Sequence, residues 1–512
     1  MSAHAPRVLR PVHLSPRSLL DLADTFDLTM VGDLKGAAVT GVAVAASHVH
    51  PGDLYVGMRG AHAHGASFAV EARERGAVAL LTDAEGLALA NGSGLPVLVS
   101  PTPRESLGAV SADVYGTADA RLTLFGVTGT NGKTSTAYLL DAVLRHLGRR
   151  TGLSTTAERI IDGTAYSSRL TTPEAPEIHA MLALMREIGI DAATLEVSAQ
   201  ALARHRVDGV LFDVVGFTNL SHDHLDDFGT MPAYLTAKAA LFSRERAKRG
   251  VVSLDSSWGR AFVEAAEVDV VTMSSHVGTG ADWQLTVTDE QPDRTYFSLT
   301  SPDGEYIESS VPVIGAHMAA NAGLAITMLV SSGIPLSEIA MALGDDPISV
   351  YLPGRAERVS GDRGPSVYVD FGHSADAYAT TLAAVRRFTS GRLFILCAAN
   401  GNRDATKRSE MGRVAALGAD VVIVTDHHPR LEDPALIRAA LLDGARSAGS
   451  GAEILEIASP EQAIIEAVQR AREGDTILWA GPGHLDYRDV GGRKVPFFAR
   501  DLARAALKDA GW

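Results

Sequence analysis

A glycine-rich segment ending in a lysine and a hydroxyl residue carries the clearest chemistry in the sequence. It runs from Gly126 to Thr134 and reads GVTGTNGKT. Backbone N–H groups in such a turn converge on an anion, and the helix N-terminus that follows adds positive potential. Lys133 is expected to reach the β- and γ-phosphates of a nucleotide, and Thr134 to bind Mg²⁺ through its hydroxyl. The segment therefore predicts an ATP-binding phosphate loop.

The spacing of this loop departs from the general pattern. Five residues separate Gly126 from Gly132, whereas the common phosphate loop has four. An apolar strand before the loop and a helical pattern after it still favour nucleotide binding. The residues expected to contact the nucleotide here are Gly129, Thr130, Asn131, Gly132, Lys133, Thr134 and Ser135.

The elements around the loop predict parallel α/β sheets. A strand over 122–127 precedes the loop, and a helix begins near Lys133 and ends before Gly148. Further strands are predicted over 192–197 and 210–217, with a helix over 319–331. A second set over 367–370, 393–396, 421–425 and 476–479 alternates with helices and predicts a second doubly wound sheet. We expect three domains, at 1–119, 120–351 and 352–512: a small α/β domain, a phosphate-loop domain and a Rossmann-like domain.

Composition narrows the class of partner. The chain has 512 residues, a formal net charge of -15 and 46% hydrophobic residues. This charge argues against nucleic acid, which requires a basic face. No apolar run reaches the roughly 18 residues of a membrane span, and no signal sequence is evident, so we expect a soluble, cytoplasmic protein. The single cysteine, Cys397, lies in an apolar run and is expected to be a buried strand thiol.

Several ordered motifs resemble the Mur ligases, the ATP-dependent amino-acid ligases of peptidoglycan synthesis. The string GTNGKT at 129–134 is followed by LTTPEAP at 170–176, LEVS at 195–198 and NLSHDHLD at 219–226. GTMPAYLTAKAALF at 229–242 and LPGRAERV at 352–359 come next, and VHPGDLYV at 49–56 is similar to the family's uridine-binding domain. Within the family, the branch that adds the third peptide residue is the most similar. The resemblance implies an N-terminal domain for the UDP-linked substrate, a central ATP-binding domain and a C-terminal domain for the amino acid.

The resemblance also implies roles for individual residues. Lys133, Glu196, His224 and Lys238 are expected to be catalytic, and Thr134, Glu196, His224 and Lys238 to support two Mg²⁺ ions. Lys238 is expected to carry a carbamate derived from CO₂, which forms only on a neutral amine. Asn321 would contact adenine, Asp370 the ribose and Arg355 the phosphates. The expected substrate contacts are Ser47, Thr171, Thr172, Ser198, Arg206, Arg403, His428 and Arg430.

Departures from the family pattern concentrate in the amino-acid pocket. Members that add diaminopimelate carry DNPR and GKGHE, whereas this chain has HHPR at 427–430 and GPGHL at 481–485. Arg430 can still pair with an α-carboxylate, but Leu485 replaces the glutamate that would hold a distal ammonium group. Three alternatives remain open: cell-wall tripeptide synthesis, a specialised ligase of natural-product biosynthesis with another acid or amine, and a partner-binding protein with a degenerate nucleotide fold. The expected partners are a carboxylate and an amine substrate, and the expected state is a monomer or weak homo-oligomer.

Overall fold

The N-terminal part of the computed structural model is a small mixed sheet with helices. The structure describes residues 9–33, 36–118, 122–168, 170–344 and 348–512. Its first elements are β1 (Arg17–Ser18), α1 (Leu19–Thr25), β2 (Thr29–Val31), β3 (Ala38–Val39), β4 (Gly41–Ala43), β5 (Asp53–Val56), α2 (Ala69–Glu74), β6 (Ala79–Thr82), α3 (Ala84–Leu89), β7 (Val97–Val99) and α4 (Pro103–Tyr115). Five of these strands form one sheet in the order β2-β7-β6-β5-β4, and short 3₁₀ helices lie at Ala46–His48 and Gly65–Phe68.

The central part is built on an eleven-stranded sheet with the order β11-β10-β9-β12-β8-β13-β14-β15-β16-β17-β18. Its elements are β8 (Thr123–Thr128), α5 (Lys133–His146), β9 (Thr151–Ser154), β10 (Glu158–Ile161), β11 (Thr164–Ser167), α6 (Ala175–Glu187), β12 (Ala192–Glu196), α7 (Ala199–Ala203), β13 (Phe212–Phe217), α8 (Leu225–Phe228), α9 (Met231–Ala239), β14 (Ala247–Ser253), α10 (Gly259–Ala265), β15 (Asp269–Ser274), β16 (Trp283–Gln291), β17 (Arg294–Thr300), β18 (Tyr306–Val311), α11 (Ala316–Ser331) and α12 (Leu336–Leu343). Strands β9 to β16 in this order pair in parallel, while β10–β11 and β17–β18 add antiparallel edges.

The C-terminal part has a six-stranded sheet with the order β19-β20-β24-β21-β22-β23. Its elements are β19 (Glu357–Arg358), β20 (Ser366–Asp370), α13 (Ala375–Arg386), β21 (Leu393–Cys397), α14 (Arg408–Gly418), β22 (Val421–Val424), α15 (Pro434–Ser447), β23 (Glu453–Glu456), α16 (Pro460–Arg470), β24 (Thr476–Ala480), β25 (Tyr487–Val490), β26 (Arg493–Pro496) and α17 (Ala499–Asp509). All but β19 are parallel in this sheet, as in a doubly wound fold.

The predicted α/β class and the two parallel sheets are confirmed. The predicted helix after the phosphate loop begins at Lys133, and the predicted strand over 192–197 is β12. Cys397 is a buried residue of β21, as predicted. The proposed boundary between residues 119 and 120 falls outside the described residues, and the exact domain limits stay a prediction.

Each sheet buries its own apolar layers. One large cluster joins β8 to α5 and α11 through Phe125, Leu139 and Leu324, and a second lies on the opposite face of the central sheet around Phe212 and Phe217. Strands β8, β12 and β13, which are buried along almost their whole length, are therefore held on both faces, and this fixes the positions of the loops at their carboxyl ends. Among the described helices, none is both long and apolar enough to cross a membrane.

Candidate active site

The phosphate loop joins the end of β8 to the start of α5 at Lys133. Gly129 has φ of 144° and Gly132 has φ of 87°, conformations that side chains with a Cβ rarely adopt. A Cβ on Gly132 would lie 2.6 Å from Oδ1 of Asn321, so that position is also sterically closed. The loop backbone is therefore free to face a ligand only because these positions are glycine.

The side-chain nitrogen atoms of two lysines converge on this loop. Lys133 Nζ donates to the Gly129 carbonyl at 3.0 Å and to the Thr130 carbonyl at 2.9 Å, and Lys238 Nζ donates to Gly129 at 2.7 Å. Lys238 is buried in α9, with its Nζ 4.3 Å from the ring centroid of Tyr234. Burial lowers the pKa of Lys133, and burial together with the charge of Lys133 lowers the pKa of Lys238 well below its usual value. The lysine pair at Gly129 therefore combines a phosphate-binding candidate, Lys133, with an amine that burial favours in its neutral form, Lys238.

Thr134 links the loop to two other parts of the chain. Its hydroxyl donates to Glu196 Oε2 at 2.9 Å and accepts from Arg355 Nη2 at 3.1 Å. Glu196, at the carboxyl end of β12, also accepts from the backbone N–H and the hydroxyl of Thr156 at 2.9 and 3.0 Å. Arg355, on the segment leading into the C-terminal sheet, is buried against the ring of Phe371 at 4.4 Å. The loop, the β12 carboxylate and the C-terminal part thus meet at one hydroxyl group.

His224 lies in a tight turn before α8, with φ of 55°. Burial lowers its pKa to about 4, so the ring is neutral at pH 7 and its nitrogen lone pair is available. A group that could hold a metal ion includes this ring: a nitrogen of His224 and one carboxylate oxygen each from Asp226 and Asp227 all lie within 4.8 Å of one another. The predicted metal residues Thr134 and Glu196 are adjacent to each other, whereas the acidic neighbours of His224 were not assigned this role from the sequence.

The carboxyl end of β20 forms the opposite wall. Asp370 accepts from the backbone N–H groups of Ala356 and Gly372 at 2.8 and 2.5 Å, so its carboxylate also fixes the chain around Arg355. Asn131, from the phosphate loop, reaches across to Asp376 Oδ2 at 3.0 Å. The Asn131–Asp376 hydrogen bond therefore joins the phosphate loop directly to the C-terminal domain.

A single cavity of about 520 Å³ brings most of the predicted site residues together. This volume is in the range of small-molecule sites. It is lined by Thr130, Asn131, Gly132, Lys133, Thr134, Ser135, Thr171, Glu196, Ser198, Arg206, His224, Lys238, Asn321, Arg355, Asp370, Arg403 and Arg430. Gly129 contributes through its carbonyl group behind the two lysines.

Three predicted substrate contacts lie elsewhere. The Thr172 side chain is buried, donates to the Glu196 carbonyl at 2.9 Å and accepts from Ser198 N–H at 3.0 Å, so it braces the site and does not face the cavity. His428 is also buried, and its Nδ1 accepts from the backbone N–H of Asp489 at 2.7 Å. Thr172 and Nδ1 of His428 thus bond within the protein, and direct substrate contact through these two residues stays a prediction. Ser47 lies on the exposed 3₁₀ helix of the N-terminal part, outside the cavity.

Some residues that shape the site had no assigned role at the sequence level. Asn219, after β13, accepts from the Asn131 N–H through Oδ1 at 3.0 Å and donates to the Asn131 carbonyl at 3.1 Å, which fixes the loop. Asp223 pairs with Lys407 across the domain interface at 2.6 Å, and His373 lies 3.6 Å from the same carboxylate. Asn219 follows the strand predicted over 210–217, and its place at the carboxyl end of that strand could have indicated a role beside the phosphate loop. The Asp223–Lys407 pair has no local signal, because its members are separated by 184 residues.

The fold and the cavity define a phosphate-loop enzyme whose nucleotide site is completed by a second α/β domain. This domain contributes Arg355, whose guanidinium donates to Thr134, and it lines the same cavity with Arg403 and Arg430. Guanidinium groups in the cavity suit the carboxylate of a second substrate.

Comparisons with known proteins identify the family. The Mur ligase middle domain matches residues 127–329, the Mur ligase glutamate ligase domain matches 354–483, and the Mur ligase family catalytic domain matches 38–114. The chain is 56% identical over 513 residues to the UDP-N-acetylmuramyl-tripeptide synthetase of Leifsonia xyli subsp. xyli, with all of both chains covered. It is 40% identical to the UDP-N-acetylmuramoyl-L-alanyl-D-glutamate--2,6-diaminopimelate ligase of Streptomyces avermitilis, with 98% of each chain covered.

Solved structures agree with this assignment. A UDP-N-acetylmuramoyl-L-alanyl-D-glutamate--2,6-diaminopimelate ligase superposes with a TM-score of 0.65 at 26% identity, covering 96% of this chain and 99% of the other. The Thermotoga maritima MurF ligase in complex with ADP shares the fold, with a TM-score of 0.63 at 17% identity over 92% and 98% of the two chains. The chain belongs to the Mur ligase family, and it is an ATP-dependent ligase that forms an amide bond. The predicted family and reaction class are therefore confirmed, and the degenerate binding protein is no longer favoured.

Proposed function

We propose that this ligase adds an amino acid to the peptide carboxylate of UDP-N-acetylmuramoyl-dipeptide. The observation that carries the proposal is the shared cavity, which is lined both by the phosphate loop and by Arg403 and Arg430. The full-length similarity to a tripeptide synthetase supports this acid and this step. Ser47 is exposed outside the cavity, where the UDP end of an elongated substrate would be able to reach it.

The residues of the cavity suit a reaction through an acyl phosphate. A substrate carboxylate oxygen attacks the γ-phosphorus of ATP, and ADP leaves. The amine then attacks the acyl carbon, and inorganic phosphate leaves with the former carboxylate oxygen. Lys133, Arg355 and the N-terminus of α5 neutralise the phosphate charges, because all three face the loop where this charge accumulates. Positioning and charge neutralisation supply most of the catalysis in such a transfer.

The donor groups fit the expected magnesium ions. Thr134 and Glu196 offer a hydroxyl and a carboxylate at 2.9 Å from each other, the oxygen ligands that Mg²⁺ prefers. The neutral His224 ring, with Asp226 and Asp227 beside it, offers a second group of ligands. Bound there, magnesium supplies charge neutralisation at the phosphoryl oxygens.

Lys238 is proposed to be carbamylated. Its buried Nζ lies against a carbonyl oxygen and close to the charge of Lys133, and both burial and that charge favour the neutral amine. A neutral amine is the form that reacts with CO₂. The resulting carbamate would place an anion on α9, facing the same cavity as His224 and Glu196.

The amine is proposed to be an amino acid other than diaminopimelate. Arg403 and Arg430 line the cavity and can hold an α-carboxylate. The neighbouring His427 and His428 are both buried and stand in place of the aspartate and asparagine of DNPR, so this segment lacks that carboxylate. Half-buried Leu485 offers no partner for a distal ammonium group either. The absence of these two carboxylates also favours the second candidate function, a specialised ligase with another acid or amine.

The described cavity is formed within one chain, so we propose a monomer or weak homo-oligomer as the working unit. ATP and a UDP-linked acid are cytoplasmic metabolites, and we propose that compartment for the reaction.

A substrate panel tests the proposal. Purified protein is incubated with ATP, Mg²⁺ and UDP-N-acetylmuramoyl-dipeptide, and each of the proteinogenic and common diamino acids is added in turn. We expect phosphate release that depends on one group of amines, and a product heavier by that amino acid less water. The panel is repeated with carboxylic acids that carry no nucleotide. Turnover only with such an acid would favour the specialised ligase over the cell-wall reaction. Preferred turnover of diaminopimelate would refute the interpretation of Leu485.

A further inference from the structure

The turn that carries His224 makes several polar contacts with a loop of the C-terminal domain. His222 Nε2 lies 3.1 Å from the hydroxyl of Thr406, and the backbone N–H of Leu225 donates to Asp404 Oδ2 at 3.3 Å. His224 itself has a left-handed backbone conformation, which costs energy for a residue with a Cβ and persists only where neighbouring contacts hold it. The 404–407 loop supplies those contacts from the other domain.

Lys407 makes the strongest of these contacts. Its Nζ lies 2.6 Å from Asp223 Oδ1, and both side chains are buried, at 9% exposure for Lys407 and 5% for Asp223. The same Asp223 oxygen accepts from the backbone N–H of His224 at 3.0 Å. Lys407 therefore places a buried positive charge directly against the carboxylate that holds the backbone of His224.

The 404–407 loop continues directly from the end of the cavity proposed for the amine. Arg403 lines that cavity, and the preceding Gly401 donates its N–H to the His428 carbonyl at 2.8 Å, which ties this loop to the segment that carries Arg430. One continuous segment therefore touches the amine end through Arg403 and the His224 turn through Lys407.

We propose that Lys407 is a positioning residue for ligation: through Asp223 it holds the His224 turn in place, and it thereby couples the amine end of the cavity to the phosphate end. The proposal rests on the proposed function for the roles of Arg403 and His224. Its structural part, that Lys407 holds the turn across the domain interface, stands on the contacts alone.

The test compares Lys407→Met with Arg438→Met. Arg438 is also mostly buried and pairs with Asp426 and Glu456 at 2.5 and 2.8 Å, but wholly within the C-terminal domain. Hydrogen exchange of the full-length protein is followed for the amides of residues 222–228. Relative to the wild type, we expect exchange of these amides to be at least tenfold faster in Lys407→Met and unchanged in Arg438→Met. Unchanged exchange in Lys407→Met, or equal acceleration in both variants, overturns the proposal.

Kinetics with the best amine from the panel supply a second readout. We expect Lys407→Met to lower kcat at least tenfold with KM for ATP within threefold, and Lys407→Arg to recover part of kcat. In an Asp223→Asn background, Lys407→Met should have little further effect, because the pair is already lost. Equal losses in both backgrounds overturn the coupling through Asp223. If the wild-type protein turns over no amine, the proposed function fails, while the exchange comparison still decides whether Lys407 holds the turn.

Discussion

Thr134→Val is the most informative single change at the phosphate end. Valine matches threonine in shape but has no hydroxyl, so the substitution removes the hydrogen bond to Glu196 at 2.9 Å and the one from Arg355 at 3.1 Å. Both partners are charged, and both are buried. Thr134→Ser keeps the hydroxyl group and is the matched control.

The expected magnitude follows from these contacts. A hydrogen bond to a charged group contributes about 1.5–3 kcal/mol, and paired losses at one atom do not add fully. We therefore expect a loss of about 2–3 kcal/mol in transition-state stabilisation, which corresponds to a decrease of roughly 30- to 150-fold in kcat/KM for ATP. The Thr134→Ser enzyme should stay within about fivefold of the wild type.

The assay is ADP release at varied ATP, with saturating acid and amine, together with thermal unfolding of each variant. Unfolding identifies any general loss of structure, because Glu196 is left with only the Thr156 donors. A change below threefold for Thr134→Val would refute the role of this hydroxyl. An equal loss in Thr134→Ser would show that the methyl packing, and not the hydrogen bonds, matters.

Three further predictions concern other parts of the structure. Lys238→Ala should lower kcat by at least about 100-fold, as for removal of a group that stabilises transition-state charge, and added acetate or formate should restore part of the lost activity. The control is Lys248→Ala, at an exposed lysine paired with Asp213, and its kcat should be near that of the wild type. A fully active Lys238→Ala enzyme would contradict the carbamate. Gly354→Ala should destabilise the protein by about 1–3 kcal/mol and impair ATP use, because Gly354 has φ of 61° and an added Cβ would lie 2.1 Å from the Gly483 carbonyl carbon. Gly361→Ala is the control in thermal unfolding, since nothing lies within 4 Å of a Cβ added there. Equal melting temperatures for the two variants would refute this close packing at Gly354. Burial lowers the pKa of His179 to about 4 in the folded protein, below the ordinary value of 6.5. As the pH falls below about 6.5, the imidazole therefore takes up a proton in the unfolded chain before it does so in the folded protein. The stability that the neutral buried ring contributes is present above that pH and is lost towards pH 4. Urea denaturation between pH 7 and 5 should show this fall, and His179→Gln should reduce its slope by up to about 1.4 kcal/mol per pH unit; an unchanged slope contradicts a neutral buried ring.

The sequence predicted the parts of the site that depend on local order along the chain. The loop glycines, Lys133 and the start of α5 lie within one strand–loop–helix unit, and Glu196 and Asp370 end buried strands. Parallel strands bring their carboxyl ends to one edge, so these residues were expected near one another.

Other features depended on three-dimensional packing. A motif does not show which way a side chain faces, and Thr172 and His428 point into the protein although their neighbours Thr171 and Arg430 line the cavity. The antiparallel pairs β16–β17 and β17–β18 extend one edge of the central sheet, with partly exposed residues along all three strands, and had no assigned role in the predicted parallel sheet. The Lys407–Asp223 pair joins two domains, so only the folded chain shows it.

The central claim is that ATP activates a substrate carboxylate as an acyl phosphate. The most direct measurement uses UDP-N-acetylmuramoyl-dipeptide labelled with ¹⁸O in its reacting carboxylate, with ATP, Mg²⁺ and the preferred amino acid, and mass spectrometry of the released phosphate. The account predicts one ¹⁸O atom transferred to inorganic phosphate for each labelled oxygen that attacks, with ADP as the other product and no labelled phosphate when the acid is omitted. Phosphate without ¹⁸O, or ¹⁸O in AMP, would contradict it.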